Sequence, residues 1–212
     1  MTDPQEGPGD AGPGRGAGRP RLAEIRDLDR VYQPAEDSRL LAETAVGLVE
    51  PGDLVVDVGT GSGYVAARLR EATGARVLGT DLNPLATRQA AAESVPVVQA
   101  NLLDPIADGT VDWVVCNPPY LPTPAGDEWD DWMEYALSGG PDGRAVIDPL
   151  LADLRRPLAP GGEALVLVSS LTGIEAVRAQ ARASGLTTMV AAEEAPPAER
   201  LVVLRLRPVG EG

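Results

Sequence analysis

The stretch "VVDVGTGSGYVAARL", residues 55 to 69, decides the fold. A run rich in valine ends at Val58, glycines follow at alternating positions, and a helical pattern begins near residue 62. Glycines at such a turn let the backbone bend tightly and let a ligand approach the main chain, while free N–H groups at the helix start favour a negative group. The stretch therefore predicts a strand, a tight turn and a helix, with a candidate ligand-binding loop at Gly59, Gly61 and Gly63.

The rest of the chain repeats this alternation of strands and helices. Short apolar runs predict strands at residues 54–58, 76–80, 95–100, 111–116, 163–170, 186–192 and 200–206. Helices are predicted at about 34–50, 62–72, 83–93, 145–158 and 173–184. Such alternation implies crossover connections, and hence an α/β fold with a mostly parallel seven-stranded sheet and helices on both faces. The last two strands are joined by turn material, "EEAPPAE", which predicts a C-terminal antiparallel hairpin.

The first residues differ in composition from the rest. Residues 1–20 contain six glycines and four prolines and no large aliphatic residue after Met1. Such a segment cannot bury enough apolar surface to offset its ordering entropy, so we predict a disordered tail. Residues 21–212 are then expected to form one folded domain.

Charge and composition narrow the classes of function. The formal net charge is −14, and the chain has no histidine and no lysine. This charge argues against nucleic acid as a partner. The lack of histidine removes the usual general base and the usual metal ligand, so no metal site is expected. The single cysteine, Cys116, fits a reducing cytoplasm, and without a signal-peptide pattern or a long apolar run we expect a cytoplasmic protein that does not associate with membranes.

The glycine loop is accompanied by carboxylates at the ends of two predicted strands. The loop reads G-x-G-x-G rather than the dinucleotide pattern G-x-G-x-x-G, which favours a smaller nucleoside cofactor. Asp81 closes the second strand, where a carboxylate can accept hydrogen bonds from both ribose hydroxyls. Asp57 lies in the first strand itself and can also be a buried carboxylate that braces the loop. Taken alone, the glycines would fit a structural turn between a strand and a helix.

The glycine loop, "TDLNP" (80–84), "ANLLDP" (100–105) and "NPPY" (117–120) together resemble the class I S-adenosylmethionine (SAM)-dependent methyltransferases, which have a Rossmann-like fold. The resemblance implies that SAM is the cofactor. It implies that the three loop glycines line its methionine end, that Asp81 holds the ribose, and that Asn101 and Leu102 flank the adenine. It also implies that Asp57 orients the methionine amino group.

The chemistry of "NPPY" concerns a planar nitrogen. The lone pair of an amide or ring-conjugated amine is shared with a π system, so such a nitrogen is a poor nucleophile. The side-chain carbonyl of Asn117 and the main-chain carbonyl of Pro118 can accept its two N–H bonds, beside the methyl donor. Pro118 and Pro119 fix the backbone, and Tyr120 can stack on the planar group. Asparagine before proline is otherwise a common turn former.

Two flanking segments indicate the acceptor. "VYQPAEDSRLLAETA" (31–45) and "SGGPDGRAVIDPLLADL" (138–154) resemble the HemK/PrmC-type protein-glutamine N5-methyltransferases, in particular the short branch that modifies the Gly-Gly-Gln loop of release factors. The resemblance implies a protein substrate such as a release factor, and places Ser38 near the methionine carboxylate of SAM.

Other functions and one further segment stay open at this point. Adenine N6 methylation of RNA or DNA, a small-molecule acceptor, and a SAM-binding subunit without catalysis are the alternatives. A small activating partner subunit is a further candidate partner of the chain. The acidic, tryptophan-containing segment 126–140 is either a lid over a basic substrate surface or a solvated loop.

Overall fold

A computed structural model describes residues 31–124 and 132–210 of the chain. The predicted disordered tail, residues 1–20, lies outside the described residues, as do residues 21–30 of the predicted domain and the acidic part of segment 126–140 that precedes residue 132.

The described residues form a single sheet with flanking helices. The strands are β1 (Leu54–Val58), β2 (Arg76–Asp81), β3 (Val97–Gln99), β4 (Val111–Cys116), β5 (Leu158–Ser169), β6 (Leu186–Glu194) and β7 (Leu201–Pro208). The helices are α1 (Glu36–Val46), α2 (Tyr64–Thr73), α3 (Pro84–Ala92), α4 (Trp132–Leu137), α5 (Ile147–Asp153) and α6 (Ile174–Ala183). Within these ranges, every helix is too short or too polar to cross a membrane.

The sheet has seven strands in the order β3-β2-β1-β4-β5-β7-β6. Strands β1 to β5 pair in parallel, whereas β7 lies antiparallel between β5 and β6. This confirms the predicted mostly parallel seven-stranded sheet with a C-terminal antiparallel hairpin. The chain leaves β1 toward β2 and leaves β4 toward β5, so a crevice opens between the carboxyl ends of β1 and β4.

Two apolar layers cover the faces of the sheet. In β1 and β4, alternate side chains point to opposite faces, so Val56 and Val114 belong to one layer and Val55 and Val115 to the other. Helices α5 and α6 supply the first layer, while α1 and α2 supply the second. Burial on both faces explains why the sequence of these strands is almost continuously apolar.

The predicted elements differ from the structure mainly around β5. The helix predicted over 145–158 ends at Asp153, and the strand predicted to begin at residue 163 begins at Leu158. The carbonyl of Pro157 accepts hydrogen bonds from the N–H groups of Thr110 and Val111, which aligns the chain with β4 before the glycines are reached. The sequence did not predict this pairing, because β5 contains the turn-forming residues "PGG", which alone indicate a loop.

Segment 126–140 also contains an element that the sequence did not predict. Its described part, from Trp132, forms the short helix α4 rather than a loop. The carbonyl of Leu137, the last residue of α4, accepts from the N–H of Leu121, and the N–H of Gly139 donates to the Leu121 carbonyl, which fixes the helix beside the turn that follows β4.

Helix α2 lies between two glycines in the left-handed region, which gives a matched pair of variants. A Cβ on Gly63 (φ 85°) would lie 3.0 Å from the backbone of Ala90 in α3, whereas a Cβ on Gly74 (φ 75°) would meet no described atom within 4 Å. We expect Gly74→Ala to lower the free energy of unfolding by ~1–2 kcal/mol and Gly63→Ala by about twice as much, since Gly63→Ala also forces α2 and α3 apart. Urea denaturation measures both, and equal losses would contradict the packing role of Gly63.

Candidate active site

A cavity of about 280 Å³ opens at the carboxyl ends of β1 and β4. The glycine loop after β1 and the "NPPY" turn after β4 both reach it, since Gly59, Gly61 and Asn117 belong to its wall. In an open α/β sheet this crevice is the ordinary place for a ligand. The structure therefore brings together the two segments that the sequence analysis singled out.

The loop glycines have different surroundings. All three have positive φ values, 67° at Gly59, 55° at Gly61 and 85° at Gly63. A Cβ on Gly59 would meet no described atom within 4 Å, and one on Gly61 would lie 3.8 Å from the carbonyl oxygen of Tyr32. Gly59 and Gly61 therefore leave space above the loop for a ligand, while Gly63 is required for the packing of α2 on α3.

Asp81 lies in the cavity wall at the end of β2. Its Oδ2 accepts a hydrogen bond from the N–H of Gly61 and its Oδ1 accepts one from the N–H of Asn83, both at 2.8 Å. Each oxygen of a carboxylate has a second lone pair, so Asp81 can brace the loop and still accept from a ribose. Burial raises the pKa of Asp81, and the two N–H donors oppose this effect.

Asp57 lies beneath the loop and is only 2% exposed. Its Oδ2 accepts a hydrogen bond of 2.7 Å from the hydroxyl of Thr60, so the carboxylate braces the turn from below. Burial raises the pKa of Asp57 to about 7. Thr60 belongs to the cavity wall whereas Asp57 does not, and contact of Asp57 with a methionine amino group stays a prediction.

Asn101 and Leu102 line the cavity after β3, a strand that β2 and β1 separate from β4 and its "NPPY" turn. Leu102 has a positive φ of 46°, and its carbonyl accepts a hydrogen bond from the hydroxyl of Thr80 at 2.9 Å. Asn101 is exposed and donates weakly to Asp104 at 3.5 Å. Their predicted positions on either side of an adenine stay untested.

The side chain of Asn117 is held at one end. Its Nδ2 donates to the hydroxyl of Ser38 at 3.4 Å, while its Oδ1 is buried and has no hydrogen-bond partner among the described residues. Leaving a buried carbonyl oxygen unpaired costs ~1–3 kcal/mol, so such an atom at a cavity wall indicates a place for a ligand donor. Pro119 also lines the cavity, whereas Pro118 is buried and is not among the lining residues, so the predicted contact of its carbonyl with an acceptor stays a prediction.

Sequence reasoning missed Asp37, which is 4% exposed in the first turn of α1. Its Oδ2 accepts from the hydroxyls of Tyr32, at 2.9 Å, and Tyr120, at 3.4 Å. Burial, reinforced by the nearby Asp37, raises the pKa of both tyrosines. An acidic residue at the start of a helix ordinarily indicates an interaction with the helix dipole, so the sequence offered no signal of this long-range contact.

The contacts of Tyr120 anchor the "NPPY" turn. Its hydroxyl is bonded to Asp37, and its ring packs against both apolar layers of the core. The predicted stacking of Tyr120 on an acceptor group stays a prediction.

The part of the cavity wall that comes from residues 132–149 is apolar and aromatic. It consists of Trp132, Tyr135, Ala136, Ala145, Val146 and Pro149. The ring centroids of Trp132 and Tyr135 lie 5.6 Å apart, and Tyr135 is 59% exposed. Among the described residues that line the cavity, Asp81 is the one with a charged side chain. This end of the cavity therefore suits an uncharged group.

Comparison with known proteins assigns the chain to a family. A family model described as a methyltransferase domain matches residues 55–136. A protein of Methanocaldococcus jannaschii named for protein N5-glutamine methyltransferase activity is 30% identical over 180 residues, which cover 82% of this chain and 90% of the relative. The chain belongs to the HemK/PrmC-like protein-glutamine N5-methyltransferase family. The prediction from the flanking segments is thereby confirmed, and the protein is a methyltransferase.

Two further comparisons agree with this assignment. The release factor glutamine methyltransferase of Mycolicibacterium smegmatis is 35% identical over 187 residues, which cover 81% of this chain and 66% of that protein. A solved structure of the E. cuniculi Mtq2-Trm112 complex, described as responsible for methylation of the eRF1 translation termination factor, superposes with a TM-score of 0.71 at 27% identity. That alignment covers 85% of this chain and 99% of the solved chain.

The family and the fold imply SAM as the cofactor, and the residues present fit it. The loop leaves open space above Gly59 and Gly61, and Asp81 keeps lone pairs for hydroxyl groups. When bound, SAM supplies an electrophilic methyl group on a positively charged sulfur. Within residues 31–124 and 132–210, no cluster of three or more potential metal ligands accompanies the cavity.

The buried Asp57 predicts an unusual dependence of stability on pH. The pKa of Asp57 is about 7 in the folded protein against an ordinary value of 3.8, so between these pH values the folded state holds a proton that the unfolded state has lost. Its contribution to stability is therefore present at low pH and is lost as the pH rises to about 7. The free energy of unfolding of the wild type, relative to Asp57→Asn, should fall by up to ~4 kcal/mol across this window.

Urea denaturation of the ligand-free protein at several pH values from 4 to 8 measures this difference. Glu71→Gln, which removes one exposed carboxylate from α2, controls for the change in net charge. If the curves of the wild type and Asp57→Asn run parallel, the proposed elevation of the Asp57 pKa is wrong.

Proposed function

We propose that this methyltransferase transfers a methyl group from SAM to the side-chain amide nitrogen of a glutamine in a protein, with a peptide chain release factor as the substrate. The observation that carries the proposal is the state of Asn117: its Nδ2 is engaged by Ser38, while its buried Oδ1 has no partner among the described residues. A primary amide entering the cavity would bring the N–H donor that this oxygen lacks.

The residues of the turn hold the acceptor rather than activate it through a base. The Oδ1 of Asn117 accepts one N–H bond of the acceptor amide, and the main-chain carbonyl of Pro118 accepts the other. These contacts orient the nitrogen lone pair toward the methyl donor, so positioning lowers the barrier for a weak nucleophile. The amide nitrogen gives up one proton when it gains the methyl group. The chain has no histidine, and the proton passes to water.

The electrostatics of the site favour a glutamine over a base in nucleic acid. The acceptor end of the cavity is lined by apolar and aromatic residues, and among the described cavity residues none is an arginine. The net charge of −14 would repel a phosphate backbone. A release factor as the substrate is supported by the name of the M. smegmatis relative and by the activity ascribed to the E. cuniculi complex.

A small activating subunit is part of the proposal. It is supported by the complex of the E. cuniculi protein with Trm112, whose methyltransferase chain is 27% identical to this one. A release-factor substrate would also place the protein in the cytoplasm. Co-expression of the chain with a candidate subunit tests the proposed activation. We expect a stable complex with a higher turnover, and equal turnover with and without the subunit would contradict an activating role.

Mass spectrometry of a release factor after incubation with the protein and SAM tests the proposed reaction. We expect the factor to gain the mass of one methyl group, located by fragmentation on the glutamine of its Gly-Gly-Gln loop. A factor with that glutamine replaced by alanine is the matched control and should gain nothing. Methylation of both factors, or of an adenine-containing oligonucleotide in place of the factor, would contradict the proposal.

Asn117→Ala should lower turnover by ~10²–10³ while leaving the affinity for SAM nearly unchanged, by analogy with the loss of one preorganised hydrogen-bond partner in an active site. Asn101→Ala provides the contrast, because it should weaken SAM binding at the adenine end of the cavity. Calorimetric titration with SAM and steady-state turnover separate the two effects. Wild-type turnover in Asn117→Ala would remove Asn117 from the mechanism.

A further inference from the structure

A chain of hydrogen bonds reaches Asn117 from the buried start of α1. The Oδ1 of Asp37 accepts from the hydroxyl of Ser38 at 3.1 Å, and the same hydroxyl oxygen accepts from the Nδ2 of Asn117 at 3.4 Å. Asp37 and Ser38 are 4% and 6% exposed, so water does not compete freely for these atoms. The chain of bonds ends at the Oδ1 of Asn117, the unpaired oxygen described above.

The direction of these bonds follows from the chemistry of the groups. The Oδ1 of Asp37 accepts from the N–H of Ser38 and its Oδ2 accepts from two tyrosine hydroxyls, so the Ser38 hydroxyl uses its one proton to donate to Asp37. The hydroxyl oxygen is then left with lone pairs alone, and it can bond Asn117 only through the Nδ2 of the amide. If the Asn117 amide were rotated by half a turn, its Oδ1 would face an oxygen without a proton. The carboxylate thus decides which end of the amide faces the cavity.

Asp37 is itself firmly held. Its Oδ1 accepts from the N–H and the hydroxyl of Ser38, and its Oδ2 accepts from the hydroxyls of Tyr32 and Tyr120. These donors come from the segment before α1, from α1 itself and from the turn after β4. One carboxylate therefore joins the three pieces of chain that meet at the acceptor end of the cavity, and its four donors leave it little freedom to turn.

We propose that Asp37 and Ser38 are positioning residues that fix the orientation of the Asn117 amide, so that its Oδ1, and not its Nδ2, is presented to the acceptor. This inference rests on the proposed function in one respect, since it assigns the acceptor an N–H group that needs an oxygen partner. The arrangement gives Ser38 a role toward Asn117 in addition to its place in the wall of the cofactor cavity. With the orientation reversed, two NH₂ groups would face each other and the acceptor would be repelled.

We call the hydrogen bonds from Asp37 through Ser38 to Asn117 the relay. The NMR signals of the Asn117 side-chain NH₂ group in a ¹⁵N-labelled protein test this relay without any acceptor. They are identified by their absence from Asn117→Ala. In Ser38→Ala the two NH₂ signals of Asn117 should shift, and their protons should exchange with solvent about tenfold faster, because Nδ2 loses its partner. Ser38→Thr keeps the hydroxyl and should resemble the wild type. Thr44→Val is the matched control, since it removes another hydroxyl of α1, one that donates to the Leu40 carbonyl at 2.6 Å.

Kinetics supply the second readout. Ser38→Ala should lower kcat about tenfold with a smaller change in the KM for SAM, and Ser38→Thr should restore most of the loss. Asp37→Asn should also lower kcat, and the double variant Asp37→Asn/Ser38→Ala should be no slower than the slower single variant, because both changes interrupt one chain of bonds. If Ser38→Ala does not fold, the near-isosteric Ser38→Cys, whose sulfur is a poor acceptor, takes its place.

The outcomes separate this inference from the proposed function. Unchanged Asn117 NH₂ signals in a folded Ser38→Ala would overturn the relay, whatever the substrate proves to be. Losses of kcat that multiply in the double variant would also overturn it, because they would assign independent roles to the two residues. If the wild type methylates no glutamine while the NH₂ signals respond as expected, the relay stands and the assignment of the acceptor fails.

Discussion

The parallel pairing of β1 with β4 is the constraint on which the site depends. Val58 lies opposite Cys116 in this ladder, and the next residues along the two strands are Gly59 and Asn117. The loop that offers space for a cofactor and the amide that offers an oxygen to an acceptor are therefore placed side by side by main-chain hydrogen bonds. The chain continues from β1 toward one edge of the sheet and from β4 toward the other, so a crevice is left between the ends of these two strands.

The site carries costs that the rest of the fold must offset. Asp57 is buried with a raised pKa, and the Oδ1 of Asn117 is buried without a partner among the described residues. Two apolar layers hold the strands that end at these groups, and Gly63 allows α2 to pack closely on α3. A ligand bound in the cavity can pair with the Oδ1 of Asn117, so the energetic cost of this buried oxygen and its proposed role have the same origin.

Much of the fold could be predicted because its signals are local. The strands were found from short runs of valine and leucine, and the cofactor loop from glycines that need positive φ values. The helix ending at Asp153 and the early start of β5 at Leu158 could not be found in this way, because the pairing with Val111 is made across the sheet. Helix α4 was missed for a similar reason: its six residues are held by contacts with the chain near Leu121.

The candidate site was predicted residue by residue from motifs, but its hydrogen bonding was not. The sequence indicated Asn117 and Ser38 separately, one for the acceptor and one for the cofactor, and gave Asp37 no role. The hydrogen bonds that connect these residues join α1 to the turn after β4. The periodicity of a sequence does not indicate contacts between residues so far apart in the chain. The same holds for the apolar wall beside Trp132, whose uncharged character appears only when the cavity is assembled.

The proposed reaction depends on the Oδ1 of Asn117, which would hold the amide of the acceptor. A crystal structure of the protein with S-adenosylhomocysteine and a Gly-Gly-Gln peptide tests it most directly. We expect the glutamine side-chain nitrogen to lie within about 2.7–3.2 Å of this oxygen, with the Nδ2 of Asn117 still bonded to Ser38. A peptide whose glutamine lies elsewhere in the cavity, or an Asn117 amide turned with its nitrogen toward the acceptor, would contradict it.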